Sequence, residues 1–127
     1  MHKKAILTKN APAPIGPYSQ AIQAGNLVFC SGQIALDPVS GQMKGADVES
    51  QTKQVMENVK ALVEASGGTL DHIVKTTIFL KSMADFPKVN EIYGTYFKGT
   101  APARSTVEVS KLPKEALVEV EVIVALG

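Results

Sequence analysis

The chain has 127 residues, of which 45% are hydrophobic and 20% charged, and its formal net charge is +1. That length fits one domain, residues 1–127, with a sizeable core, and the composition is that of a globular protein. Acids and bases are scattered without a basic run or an arginine-rich stripe, so no nucleic-acid partner is expected.

The opening residues, MHKKAILTKNAPAP, lack the apolar stretch of a secretory signal, and no apolar run is long enough to span a bilayer. Cytoplasmic residence with no membrane partner is the expectation, with His2 in a frayed terminus. Cys30 is the only cysteine, which leaves no internal disulfide and no cysteine-built metal site.

After a proline-rich entry (APAPIGP, 11–17), YSQAIQA (18–24) reads as a short strand. Gly25-Asn26 turns it into LVFCSGQI (27–34), making a hairpin, and LDPVSGQM (36–43) reads as a loop. From Asp47 the period changes. Val48, Thr52, Val55, Val59 and Leu62, joined by Met56 and Val63, recur at helical spacing, with Asp47 as N-cap and Gly67-Gly68 as the stop. HIVKTTIFLK (72–81) is β-branched and aromatic enough for a strand. A second helix is predicted from Asp85 to Phe97, capped by Asp85, with Pro87 in its first turn and Phe86, Val89, Tyr93 and Phe97 on its buried face.

RSTVEVSKL (104–112) and ALVEVEVIVAL (116–126), joined across Leu112–Glu115, close the chain as strands. The order predicts an α+β domain: one mostly antiparallel sheet with two helices on one face. In the last strand Val118, Val120, Val122 and Val124 alternate with Glu119, Glu121, Ile123 and Ala125, so the valines suit packing under the helices. Val107 and Val109 are expected to follow the same rule. The opposite, semi-polar face suits an oligomer interface or a ligand wall better than bare surface.

Among groups that carry chemistry, no GxGxxG or Walker-type loop, HExxH motif or Cys/His cluster of metal spacing is present, so no metal is expected. Cys30 sits in an apolar strand, where a thiol behaves as a small hydrophobe. His72, at a strand entrance, reads as structural. Arg104 stands alone among twelve lysines. Its planar fork of donors suits a carboxylate, and an ion pair with Glu108 or Glu121 is the competing reading. The strand pattern sets it beside the uncovered face. Glu119 and Glu121 either face solvent or, if enclosed, gain a raised pKa fit for proton transfer. Tyr18 at a loop–strand junction is a pocket wall or plain packing. Ser31-Gly32 offers a hydroxyl and an unobstructed N–H, and Asn90 is flanked by Val89 and Tyr93.

Taken in order, APAPIGPYSQA, FCSGQIALDP, QTKQVMENVKALVEASG, KTTIFLKSMADFPKVNEIYGTYF and PARSTVEVSKLPKEALVEVEVIVA resemble the RidA (YjgF) family of reactive-intermediate deaminases along nearly the whole chain. The resemblance implies a chorismate-mutase-like α+β fold with a six-stranded sheet, assembled as a homotrimer with ligand clefts between subunits. It also implies hydrolysis of 2-imino acids and their enamine tautomers to 2-keto acids and ammonia, with no cofactor. Carried over by position, the family's arginine falls on Arg104 as a carboxylate clamp, and its site tyrosine, serine and asparagine on Tyr18, Ser31 and Asn90. Its water-activating glutamate falls on Glu119, and Gly32 would add a backbone contact. Many relatives have cysteine two residues after the arginine. Thr106 stands there, which removes a thiol from the site and leaves a backbone contact open. A ligand-binding regulatory module in the same cleft is the alternative from another class. A ribonuclease or translation-inhibitor role is disfavoured by the near-neutral charge and the lone arginine.

Overall fold

The computed structural model describes residues 2–127. Six strands run in the order β1 (Lys3–Ile6), β2 (Ala21–Ala24), β3 (Leu27–Gln33), β4 (Ile73–Leu80), β5 (Ala103–Glu108) and β6 (Val118–Ala125). Helix α1 (Val48–Ala65) lies between β3 and β4, and α2 (Phe86–Gly94) between β4 and β5. In space the strands form one sheet ordered β1-β2-β3-β6-β4-β5. Every neighbouring pair is antiparallel except β4 and β5, which α2 joins as a parallel crossover.

The expected α+β architecture is therefore present, with local differences. Strand β1 was not predicted. It is a four-residue edge whose only buried side chain is Ile6, and Lys3 and Lys4 face solvent. Such a strand is too short to show a period, and its lysines guard the unpaired backbone edge. β2 begins at Ala21 and not at Tyr18, leaving Tyr18, Ser19 and Gln20 in the preceding loop. β5 and β6 do not form a hairpin, because β4 lies between them.

Helix α1 starts where predicted. The Asp47 carboxylate accepts from the Ser50 N–H at 2.7 Å. It ends in a Schellman closure: the Gly68 N–H bonds the Val63 carbonyl and the Gly67 N–H the Glu64 carbonyl, with Gly67 at φ 93°. Helix α2 is shorter than predicted. It ends at Gly94, and Phe97, beyond it, still packs 4.9 Å from the Tyr93 ring. Asp85 stands at its N-cap position in helical backbone and makes no side-chain cap. The turn before it is instead closed by the Ser82 hydroxyl, which accepts from Ala84 N–H.

The core lies between the helices and one face of the sheet. Val118, Val120 and Val124 are 0% exposed and Val122 2%, together with Val55, Met56, Val59, Leu62 and Val63 from α1. Edge strand β5 breaks the expected valine rule. Its register sets Arg104 opposite Thr76, Thr106 opposite Ile78 and Glu108 opposite Leu80, all on the helix side, while Val107 lies opposite Phe79 and is 41% exposed. At this margin α2 presents Asn90 beside Arg104, so the polar side chains of β5 lie on the helix side, with Arg104 and Glu108 still exposed.

The two aspartates predicted as caps should separate in measurement. Asp47→Ala is expected to cost about 1 kcal/mol in urea unfolding, and Asp85→Ala to change stability by less than about 0.5 kcal/mol. Equal losses would contradict the capping geometry.

Candidate functional site

Two groups of polar side chains stand out, and they lie on different sides of the sheet. The first is a cleft of about 490 Å³ where the end of β3 meets the start of β6. Glu119 points into it beside Gly32, Ser31 and Tyr18, with Pro12, Ile15, Ile34 and Leu36 as apolar wall. Glu119 is on the open face because its neighbours Val118 and Val120 are buried on the other. It packs so closely on Gly32 that a Cβ there would overlap the carboxylate, standing 2.9 Å from Cδ and 3.2 Å from Cγ. Glycine at 32 is what lets the carboxylate lie across the strand.

Partial burial raises the Glu119 pKa, and the nearby Glu121 carboxylate raises it further. The Ser31 hydroxyl donates to the Ser19 carbonyl at 2.6 Å, so it offers a ligand only an acceptor. Tyr18 is half exposed, its hydroxyl 3.4 Å from the Ile15 N–H. The loop carrying Tyr18 is held by Gln20, which is 2% exposed. Its amide accepts from the Thr8 N–H and donates toward the carbonyls of Thr8, Ala11 and Pro12.

The second group is built on β5 and α2. Arg104 donates to the Asn90 side-chain oxygen at 2.7 Å. Its Cζ lies 5.2 Å from the centre of the Phe86 ring and 5.1 Å from that of Tyr93. Among the described residues no carboxylate comes within ion-pair distance of it, so the pairing with Glu108 or Glu121 is not realised. Glu108 accepts from the Met83 N–H instead. Asn90 spends its oxygen on the arginine and keeps its NH₂ donors, so the pair presents only donors outward. Thr106 follows on the same face, and its Oγ1 is the one buried side-chain polar atom among the described residues without a hydrogen-bond partner. That oxygen is covered by protein and does not open on a cleft.

Arg104 thus faces the helices and not the uncovered face that the strand pattern suggested. The physical reason is the parallel β4–β5 register, which no single-strand pattern contains. Glu119 lies opposite Phe79 on the far side of the sheet, and β4 separates β6 from β5, about 10 Å of sheet. Within one chain the structure gathers Tyr18, Ser31, Gly32 and Glu119, and separately Arg104 and Asn90. It does not bring the two groups together.

Other candidates are quiet. Burial pushes the Cys30 thiol up to about 12, as expected of a core residue. His72 Nδ1 accepts from the Thr69 N–H and closes a turn. Among the described residues no cluster of three or more potential metal-ligating side chains occurs, and no helix is long and apolar enough to cross a membrane.

Residues 8–126 match the family model described as Endoribonuclease L-PSP. The chain is 54% identical over 121 residues to a RutC family protein of Pyrococcus horikoshii, covering 95% of this chain and 96% of that one. The chain belongs to the RidA/RutC family. A RidA-family relative from Mus musculus, named 2-iminobutanoate/2-iminopropanoate deaminase, is 46% identical over 125 residues, covering 98% of this chain and 93% of the relative. The solved structure of a Rid family protein from Yersinia pestis superposes with a TM-score of 0.95 at 54% identity, covering 98% and 99% of the two chains.

The sequence pattern marks Phe86 and Tyr93 as core-facing helix residues and does not assign them to the site. Their spacing with Asn90, at 86, 90 and 93, is the signal that groups them on one helical face. Gln20 and Lys114 at the cleft carried no comparable signal.

Gly32→Ala is expected to displace the Glu119 carboxylate while the fold persists, since the overlapped atoms are the end of a flexible side chain. Carboxylate-resolved NMR titration checks this: an unchanged Glu119 titration would show that the side chain does not depend on Gly32.

Proposed function

We propose that this chain hydrolyses 2-imino acids and their enamine tautomers, such as 2-aminoacrylate and 2-aminocrotonate, to 2-keto acids and ammonia, as a 2-iminobutanoate/2-iminopropanoate deaminase. The observation that carries the reading is the Arg104–Asn90 pair: a permanently charged, donor-only surface with no carboxylate partner of its own. The name of the mouse relative supports the same activity.

The chemistry asks for few groups. Arg104 and the Asn90 amide hold the substrate carboxylate and so orient the neighbouring imine carbon. A protonated imine is already electrophilic. Water adds to C2 while Glu119, as carboxylate, takes a proton from it. Glu119 returns that proton to the carbinolamine nitrogen, and the C2–N bond breaks to release ammonia as the hydroxyl gives its proton to Glu119 and C2=O forms. Positioned proton transfer of this kind typically contributes about 10²–10⁴-fold. Tyr18, Ser31 and Gly32 shape the wall around the reacting carbon.

A 2-imino acid carries its carboxylate directly on the imine carbon, so one molecule cannot reach Arg104 and Glu119 of the same chain. Our reading is therefore a homotrimer whose sites lie between subunits, with Arg104 and Asn90 from one copy and the Glu119 cleft from the next. The semi-polar open face, with Leu27, Phe29 and Val107 each at least 37% exposed, supplies apolar surface for such contacts.

Loss of 2-aminoacrylate generated in situ, followed with and without protein, tests the activity; no acceleration by the wild type would sink the enzyme reading. Arg104→Lys is expected to lose at least about 10-fold in kcat/KM with the oligomer intact, because a point charge cannot replace a bidentate fork. Glu119→Gln is expected to abolish turnover and keep 2-oxobutanoate binding. Mixing the two impaired variants through refolding is expected to restore about a quarter of wild-type activity, the share of intact sites in random 1:1 cyclic trimers. No recovery would overturn the shared inter-subunit site.

Glu119 works as the carboxylate, so activity falls as pH drops through its pKa. With that pKa raised by burial and by Glu121, the acid limb lies above the ordinary glutamate range. Glu121→Gln removes the repulsion and is expected to move the limb to lower pH; an unmoved limb would assign it to another group. For stability the sign is opposite. Folding holds the Glu119 proton more tightly, so its ionisation costs stability as pH rises through the raised pKa.

A further inference from the structure

Arg104 is held by more than Asn90. Residues 86, 90 and 93 of α2 recur at i, i+4 and i+7 and share one helical face. That face offers a ring, an amide and a ring to a single guanidinium, at 5.2 Å, 2.7 Å and 5.1 Å respectively. Tyr93 is itself fixed from two sides. Its hydroxyl shares a 2.8 Å hydrogen bond with the buried Thr76 hydroxyl, and its ring packs 4.9 Å from Phe97. Thr76 is the residue directly opposite Arg104 in the β4–β5 register. The ring is thus tied to the strand position beside the arginine, so cradle and guanidinium share one frame.

The consequence concerns the cost of binding. An arginine on an exposed edge strand samples many rotamers and must surrender them to grip a ligand. Aromatic rings attract the guanidinium through their negative faces and restrict that freedom beforehand, while the unused N–H donors remain available. A lysine would gain much less, which accounts for a lone arginine in a chain otherwise basic through lysine.

We propose that Phe86 and Tyr93 are positioning residues for Arg104: they pre-orient the guanidinium for the substrate carboxylate. The proposal deepens the reading of Arg104 as the carboxylate clamp and rests on it.

With only one arginine in the chain, a single Nε–Hε resonance reports the guanidinium directly by ¹⁵N NMR of the intact oligomer. In the ligand-free protein, Phe86→Leu is expected to shift this resonance and lower its heteronuclear NOE, while Phe86→Tyr preserves both. The 2-oxobutanoate dissociation constant should rise about 3- to 30-fold in Phe86→Leu and stay within about 2-fold in Phe86→Tyr, the range such a contact supports. Melting temperatures separate these effects from a folding defect. Should Phe86→Leu loosen α2, Tyr93→Phe keeps the ring, cuts its tie to Thr76, and is expected to lower the arginine NOE by itself. An arginine resonance and affinity unchanged in Phe86→Leu, or Phe86→Tyr as impaired as Phe86→Leu, would overturn the positioning role alone. A wild-type arginine resonance that ignores saturating 2-oxobutanoate would instead overturn the clamp reading, and this inference with it.

Discussion

The two-residue period of β6 is the constraint on which the rest of the structure depends. This strand lies inside the sheet, paired with β3 on one side and β4 on the other. Its four valines fill the core beneath the helices. A slip of one residue would drive Glu119 and Glu121 into that core, so the register is strongly specified. The same alternation that packs Val118 and Val120 puts Glu119 on the open face. There Gly32, on the neighbouring strand, has no side chain to push it away. Core packing and the placement of the Glu119 carboxylate are one event.

Beyond the strand ends, the walls of the Glu119 cleft are irregular backbone, which has no ladder to satisfy its polar groups. Buried amide side chains do that work. Gln20 brackets Thr8, Ala11 and Pro12. Asn58, 0% exposed, donates from α1 to the carbonyls of Ile34 and Leu36. Gln51 accepts from the Leu117 N–H, just before β6, and donates to the Gly45 carbonyl. An amide carries donors and acceptors together, so one side chain can tie two strangers in sequence. The turn from β5 into β6 is held differently. Lys114 and Glu115 both take positive φ, at 54° and 57°, without glycine. Such backbone costs about 1–2 kcal/mol per residue, and this strained turn borders the same cleft.

The division of polar groups between the two faces links fold to chemistry. Partial desolvation in the cleft raises the Glu119 pKa. Around Arg104, α2 supplies a neutral amide and two rings and no carboxylate partner. Within one chain the two lie on opposite faces of the sheet with β4 between their strands, so they do not pair with each other.

Sequence by itself determined the elements and most of their inward faces, because helical and strand periods are local properties of side-chain spacing. It also carried the family blocks, with Arg104, Glu119, Tyr18, Ser31, Gly32 and Asn90 as candidates. What it did not contain was strand β1, too short for a period, and the facing of β5. There a parallel partner, and not the strand's own valines, sets Arg104 inward and Val107 out. The Asn90–Arg104 bond and the Gly32–Glu119 contact likewise join residues 14 and 87 positions apart. Only tertiary structure decided these, because they depend on which strands lie side by side, and that is settled by packing the whole core at once.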